Sequence, residues 1–299
     1  MRAPLVVGVN GSDDALCAVD WAADEAALRG CPVQLLHASQ WEQYGDAEMS
    51  GGPDPRLRRD AAARGLVAVA EARVASRRPE VAVSAVVQDE DPVYALVDAS
   101  DRAAMVVVGS RGHGLSGVVA GAVSLTLAAR AHCPVVVVRP GGGAGSAGGR
   151  WVLLGLGAPD RTPAAAEFAF VEAALRGCGV TVVHARPGRH GEHLAPGGGL
   201  SVGLPPLRRQ MTEERLAEGL DGAVARCVTR HPGVPVRRLV VAGRAHPTLL
   251  RAAEGAELLV LGARRRADPL GPQLGPVNRA MLHHAPCTVA IVPVQPSGG

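Results

Sequence analysis

The sequence predicts two tandem α/β domains, each built on a five-stranded parallel sheet. Three observations carry the prediction. Short runs rich in Val and Leu alternate with stretches of helical periodicity, as parallel strands joined by crossover helices require. The pattern occurs twice: Leu28-Arg29-Gly30-Cys31 returns as Leu175-Arg176-Gly177-Cys178, and Leu36-His37-Ala38 aligns with Val183-His184-Ala185, both at an offset of 147. Further on, Asp91-Pro92 matches His246-Pro247, Val108-Gly109 matches Leu261-Gly262, and Ala131 to Val135 matches Ala285 to Val289, at offsets of 155, 153 and 154. A period this long is a duplicated domain rather than a solenoid. Between the copies, Gly141 to Gly149 reads GGGAGSAGG, a flexible spacer with nothing to pack. The expected organisation is therefore a domain over 1–140, a linker over 141–150 and a second domain over 151–295.

In the first copy, Leu5 to Val9 is the first strand, and Asn10-Gly11-Ser12-Asp13 is the turn after it. Ser12 or Asp13 caps a helix in which Ala15, Ala18, Val19, Ala22, Ala26 and Leu28 keep helical spacing up to Gly30. Val33 to Ala38 is the second strand. A loose loop over Gln43 to Pro55 leads to a helix over Arg56 to Ser76, and Val81 to Val87 is the third strand. Asp91-Pro92 opens a third helix running through Asp98, with Pro at its first position. Met105 to Val108 and Val135 to Val138 are buried strands enclosing a glycine-dense loop and a helix over Gly121 to Ala131. The last strand of each copy, Val135 to Val138 and Val289 to Val292, is expected at a sheet edge.

The second copy repeats the order. Val152 to Leu156, Val180 to His184, Val236 to Val241, Leu258 to Leu261 and Val289 to Val292 are its strands. Its helices run over Pro163 to Arg176, over Leu207 to Thr229 and after His246-Pro247, and a last one carries His283-His284. In a doubly wound sheet, a ligand binds outside the carboxyl ends of the strands where the order reverses, here the first and fourth.

Composition removes several function classes. The net charge is only +3 over 299 residues, which favours neither a nucleic-acid tail nor a membrane-surface patch. Aromatics are 2%, so a base-stacking platform for single strands is not expected. The chain contains no lysine, which excludes a Walker-type phosphate lysine and a Schiff-base or general-base lysine together. The six cysteines (Cys17, Cys31, Cys133, Cys178, Cys227 and Cys287) form no CxxC pair and read as buried thiols of a reducing cytoplasm. The first apolar run ends at Asn10-Gly11, unlike a signal peptide, and the uncharged stretch Gly112 to Ala129 opens as glycine loop rather than apolar helix, so no membrane association is expected.

The loop after Val108 carries Gly109, Gly112, Gly114, Gly117 and Gly121, so backbone amides can approach a ligand where a Cβ would collide. A glycine loop running from a strand into a helix suits phosphate. Gly112-His113-Gly114-Leu115-Ser116-Gly117 also matches the dinucleotide pattern GxGxxG. That reading fails on position: the motif lies after the fourth strand, and the next strand ends at Arg139 without an acid for a ribose. Metal chemistry has weak support, since His190, His193, His283 and His284 lack partners at ligand spacing. Asp13 and Asp14 read as helix-start acids able also to approach Mg2+, rather than as catalytic acids, and Ser110 as part of the loop with no evident base.

Taken together, VVGVNGS near the start, WAADEAALRG in the first helix, LLHA on the second strand, and VVVGSRGHG, GAVS and AHCPVVVV further on closely resemble the universal stress protein family, here as a tandem pair. The resemblance implies a flavodoxin-like fold of the adenine-nucleotide alpha-hydrolase type in each copy. It also implies ATP binding, with Mg2+, through a Gly-x2-Gly-x9-Gly-(Ser/Thr) loop. Carried onto this chain, Gly109 and Gly112 are the first two glycines, Arg111 sits between them beside the phosphates, and Gly121 is the third. Val9, Asn10 and Ala38 would meet the nucleoside, Ala38 through its backbone, and Ala122, Val123 and Ser124 the phosphates.

Two departures stand out: eight residues, His113 to Ala120, separate Gly112 from Gly121, and Ala122 replaces the hydroxyl residue. One lost bond to a charged phosphate costs on the order of 1–3 kcal/mol, which Ser124 could offset. Asn10 stands where ATP-binding relatives carry Asp, though an amide still hydrogen-bonds ribose or base. In the second copy, Gly262 and Gly275 keep register, but Arg265 replaces the second glycine, Pro276 the hydroxyl residue and Gly157 the first-strand Asp.

The expected function is thus a non-enzymatic cytoplasmic stress-response protein. Its first domain binds adenine nucleotide, and its second is a structural partner, paired within the chain or in a homodimer through the last strands. A nucleotide-independent scaffold and a weak ATPase are the alternatives.

Overall fold

A computed structural model of the chain describes residues 2–38, 55–110, 121–141, 151–157, 163–186, 219, 221–263 and 274–294. In the amino-terminal half the order is β1 (Leu5–Gly8), α1 (Asp13–Arg29), β2 (Val33–Ala38), α2 (Pro55–Arg77), β3 (Val83–Gln88), α3 (Pro92–Ala99), β4 (Met105–Gly109), α4 (Ala122–Arg130) and β5 (Val135–Val138). The carboxyl-terminal half follows with β6 (Trp151–Leu156), α5 (Pro163–Arg176), β7 (Gly179–Arg186), α6 (221–230), β8 (Val236–Ala242), α7 (Ala245–Ala253), β9 (Leu258–Ala263), α8 (Pro276–His284) and β10 (Thr288–Pro293). The linker from residue 142 and most of the helix expected over Leu207 to Thr229 lie outside the described residues.

Within each half the strands are parallel and doubly wound, so the expected α/β class is the observed one. The ten strands form a single sheet in the order β3-β2-β1-β4-β5-β10-β9-β6-β7-β8. The two halves meet where β5 runs antiparallel to β10, with Val135 opposite Ile291, Val136 opposite Ala290 and Val137 opposite Val289. Two strands that would each be the outer edge of a five-stranded sheet therefore lie in the middle of one with ten, and the ladder satisfies their backbone groups.

Alternation along these strands divides the interior into two layers. On one face Leu5, Val7, Met105, Val107, Val136 and Ala290 pack under α1, α2 and α5. On the other, Val6, Val106, Val108, Val135, Val137 and Ile291 pack under α3, α4, α7 and α8. Covering both faces is why β4 and β5 read as unbroken apolar runs rather than alternating ones.

Local signals set the helix ends. The Ser12 hydroxyl accepts from the Ala15 amide at 3.2 Å and opens α1, and Gly30, at φ 60°, closes it in the left-handed region that side chains avoid. Asp91 caps α3 by accepting from the Val93 and Tyr94 amides at 2.8 and 3.3 Å, with Pro92 at the first position. The third strand begins at Val83 rather than Val81. Val81 instead closes the turn after α2, its amide donating to the Arg78 carbonyl at 3.0 Å.

Candidate functional site

A cavity of about 150 Å³ opens at the carboxyl ends of β1 and β4, the position that the doubly wound order favours. Val9, Asn10, Ala38, Gly109, Gly121, Val123 and Ser124 line it, together with Gly8, Ala15, Leu36, Pro92, Leu96 and Val108. Ala122 is the first residue of α4, beside these residues but not in the cavity wall. Arg111 and Gly112 lie outside the described residues.

The floor is apolar, and the polar groups are held from β1, α1 and α4. After β1 the chain turns on Asn10, whose Oδ1 accepts from the Ser12 amide at 3.1 Å and from the Ser12 hydroxyl at 2.7 Å. This turn aims the chain into α1, whose first turn lies directly against the end of β4. A Cβ on Gly109 would stand 2.6 Å from the Asp14 carbonyl carbon and 2.9 Å from the Ala15 nitrogen. Gly109 is therefore required by the packing of α1 on β4, quite apart from any ligand. Next to it, the buried Ser110 donates its hydroxyl to Asp14 Oδ2 at 2.7 Å. Ser110 is thus a clamp between β4 and α1, and Asp14 combines its helix-start position with this bond.

On the far side Gly121 caps α4 without a side-chain bond; its amide donates to the Ser110 carbonyl at 3.3 Å. The carbonyl of Gly121 accepts from the Ser124 hydroxyl at 2.9 Å and from the Leu125 amide at 3.3 Å. The opening turn of α4 therefore faces the cavity through Gly121, Val123 and Ser124 with the positive end of a helix dipole.

One contact to the cavity-lining Val9 was not anticipated from sequence. His37 Nδ1 lies 2.7 Å from the Val9 carbonyl oxygen, and because a carbonyl only accepts, Nδ1 carries the proton. The second half repeats it: His184 Nδ1 lies 3.1 Å from the Leu156 carbonyl oxygen. The signal was present in the recurrence of His at the same offset in both copies.

The equivalent position in the second half is built differently. Gly275 caps α8 and Pro276 occupies its first turn, so one amide donor is absent. Asn278, which aligns with Ser124, donates its side-chain amide to the Gly262 carbonyl at 3.0 Å. Arg264, Arg265 and Arg266 lie outside the described residues.

Among the described residues, which include all six cysteines, no disulfide is formed. Burial pushes Cys133 up to about 12 and Cys287 to about 11, and burial and then Glu167 push Cys227 to about 11, so these three are not poised as nucleophiles. Among the described residues no cluster of three or more His, Cys, Asp or Glu could hold a metal, and no helix is long and apolar enough to cross a membrane.

The sequence model of the universal stress protein family matches residues 1–139 and again residues 150–293. The chain belongs to the universal stress protein family. It is 32% identical over 294 residues to universal stress protein Rv2005c of Mycobacterium tuberculosis, covering 96% of both chains. It is 27% identical over 319 residues to Rv1996 of the same organism, covering 98% of this chain and 96% of that one. The crystal structure of a universal stress protein from Archaeoglobus fulgidus superposes with a TM-score of 0.69 at 15% identity, covering 97% of this chain and 98% of the other, a likeness of fold.

Proposed function

We propose that this universal stress protein binds an adenine nucleotide in its amino-terminal half and performs no catalysis there. The carboxyl-terminal half acts as a structural partner fixed to it through β5 and β10. One observation carries the reading. The cavity at the ends of β1 and β4 gathers residues from four separate segments, Val9-Asn10, Ala38, Gly109, and Gly121 with Val123 and Ser124, that the family resemblance assigns to the nucleoside and phosphate ends of one ligand. An apolar floor from Leu36, Leu96 and Val108 suits a base, and the first turn of α4 suits an anion. The non-catalytic assignment rests on the engaged side chains: the buried Ser110 hydroxyl is held by Asp14 in the β4–α1 junction, and the Ser124 hydroxyl donates to the Gly121 carbonyl. ATP is the proposed ligand and the cytoplasm the proposed location.

The test is to release ligand from the purified chain by heat, identify it by mass spectrometry, and titrate ATP calorimetrically into the wild type and Gly121→Asp. Asp is a favourable residue at a helix N-cap, and φ −58° at this position suits any side chain, so the variant should melt no lower than the wild type. Its carboxylate should nevertheless repel the phosphates and weaken ATP binding by roughly tenfold or more. A wild type that carries no nucleotide and gives no binding heat would replace this reading with that of a nucleotide-independent scaffold.

A further inference from the structure

The family resemblance implies Mg2+ beside the phosphates, and the donor set of this cavity does not fit it. Mg2+ at a nucleotide is held by one or two carboxylates, and in many sites a hydroxyl, together with phosphate oxygens. No Asp or Glu occurs anywhere between Asp101 and Asp160, a span that holds β4, the glycine loop, α4 and β5. At the end of β1 the neutral amide of Asn10 occupies the position of the family's carboxylate, and its oxygen already accepts twice from Ser12. Of the acids at the starts of the flanking helices, Asp13 is exposed and outside the cavity wall, and the other two have duties of their own. Asp14 accepts from Ser110 at 2.7 Å, and Asp91 caps α3. Ser124, its hydroxyl donating to the Gly121 carbonyl, offers the cavity a neutral oxygen and no charge.

From this juxtaposition, a cavity wall with a neutral Asn10 and no carboxylate among its described residues, we infer that the protein takes its nucleotide as the metal-free anion. The inference rests on the nucleotide reading above. The phosphates are met by the amide donors of the first turn of α4. A cation bound to the phosphates brings positive charge to a site that offers it no ligand. Mg2+ therefore gives ATP no advantage over its absence, and a nucleoside monophosphate, which needs no chelated cation to bind, is accepted on the same terms.

The experiment titrates AMP and ATP into the full chain in EDTA and again in excess MgCl2, alongside Asn10→Asp, with melting curves to show that the variant folds. For the wild type, ATP should bind in EDTA as tightly as in Mg2+ to within about twofold, or more tightly, and AMP should be indifferent to the cation. In Asn10→Asp the added carboxylate should make Mg2+ strengthen ATP binding by roughly tenfold. Mg2+ that strengthens ATP binding to the wild type by more than about twofold overturns the inference while leaving the nucleotide reading intact. Asn10→Asp that folds and binds yet ignores Mg2+ overturns the role given to Asn10. Absence of binding under every condition overturns the nucleotide reading and this inference with it.

Discussion

Arg176 on α5 donates from Nη2 to Glu25 Oε2 on α1 at 2.6 Å, joining the two halves across 151 residues of sequence. The contact belongs to a closed ring. Arg29 bonds both Glu25 and Glu172, and Arg176 bonds both Glu172 and Glu25. The ring is symmetric in the duplication, since Glu25 and Arg29 become Glu172 and Arg176 at the offset of 147. Even the aromatic neighbours exchange: Arg29 lies over Phe168 and Arg176 over Trp21. Removing one member leaves a buried charge without its partner. Arg176→Ala, whose side chain is 5% exposed, should therefore destabilise the chain by about 3–5 kcal/mol in urea unfolding. Replacing the four charges together by Leu and Met should cost much less. Equal losses for the single and fourfold variants would refute the account.

The same ring predicts a pH dependence. Glu257 adds a third carboxylate, 3.2 Å from Arg176 Nε, so three acids share two guanidinium groups. Burial first, and then the Glu25 charge, push the Glu172 carboxyl up to about 7. A folded value above the unfolded one means that the protonated form is favoured in the fold. Glu172 thus contributes most below about pH 4.5, and that contribution is lost as pH rises towards about 7. Measured against Glu172→Gln, the relative stability of the wild type should decline across this window and level off above it. A flat difference would show that Glu172 stays ionised throughout.

The ring was not legible in the sequence, and the reason is physical. Glu25 and Arg29 have the spacing of an ordinary solvated helix pair, and what buries Glu25 is a helix more than a hundred residues away. The strands were legible because burial on both faces leaves an unbroken apolar run, as at Met105 to Val108 and Val135 to Val138. β3 was harder, because it is an outer edge with Ser84, Ala85 and Val87 exposed, and its true start at Val83 carries no boundary residue. At the cavity, the repeat and the glycine loop pointed to β4 and α4. Leu36, Pro92 and Leu96 gave no signal, since an apolar residue lining a cavity is indistinguishable in sequence from one filling a core.

Joining through β5 and β10 predicts that the halves hold together without the linker. A protease site introduced between Gly142 and Gly149 and then cut should leave both fragments co-eluting at the size of one intact chain, because the Val136–Ala290 ladder and the ring survive the cut. The same cut in Arg176→Glu, which sets three carboxylates against a fourth acid, should release the fragments, as light scattering would read. Fragments that separate in the wild-type background would mean that the linker, not the interface, keeps the halves together.

Gly109 offers a way to separate folding from ligand binding at the loop. Its place in the glycine pattern suggests a role beside the phosphates, whereas its missing Cβ is needed by the backbone of α1 at Asp14 and Ala15. Backbone cannot swing aside as a side-chain tip does, so Gly109→Ala must move α1 away from β4 and stretch the Ser110–Asp14 bond. The expected cost is about 1–3 kcal/mol of stability, the range for overpacking a close contact. Ser110→Ala should lose a comparable amount through the half-buried carboxylate oxygen it leaves without this donor, about 1–3 kcal/mol. Because both act through the α1–β4 junction, Gly109→Ala combined with Ser110→Ala should cost less than the sum of the two. Additive losses, or a Gly109→Ala variant that unfolds at the wild-type temperature while binding ligand poorly, would return Gly109 to a purely ligand-facing role.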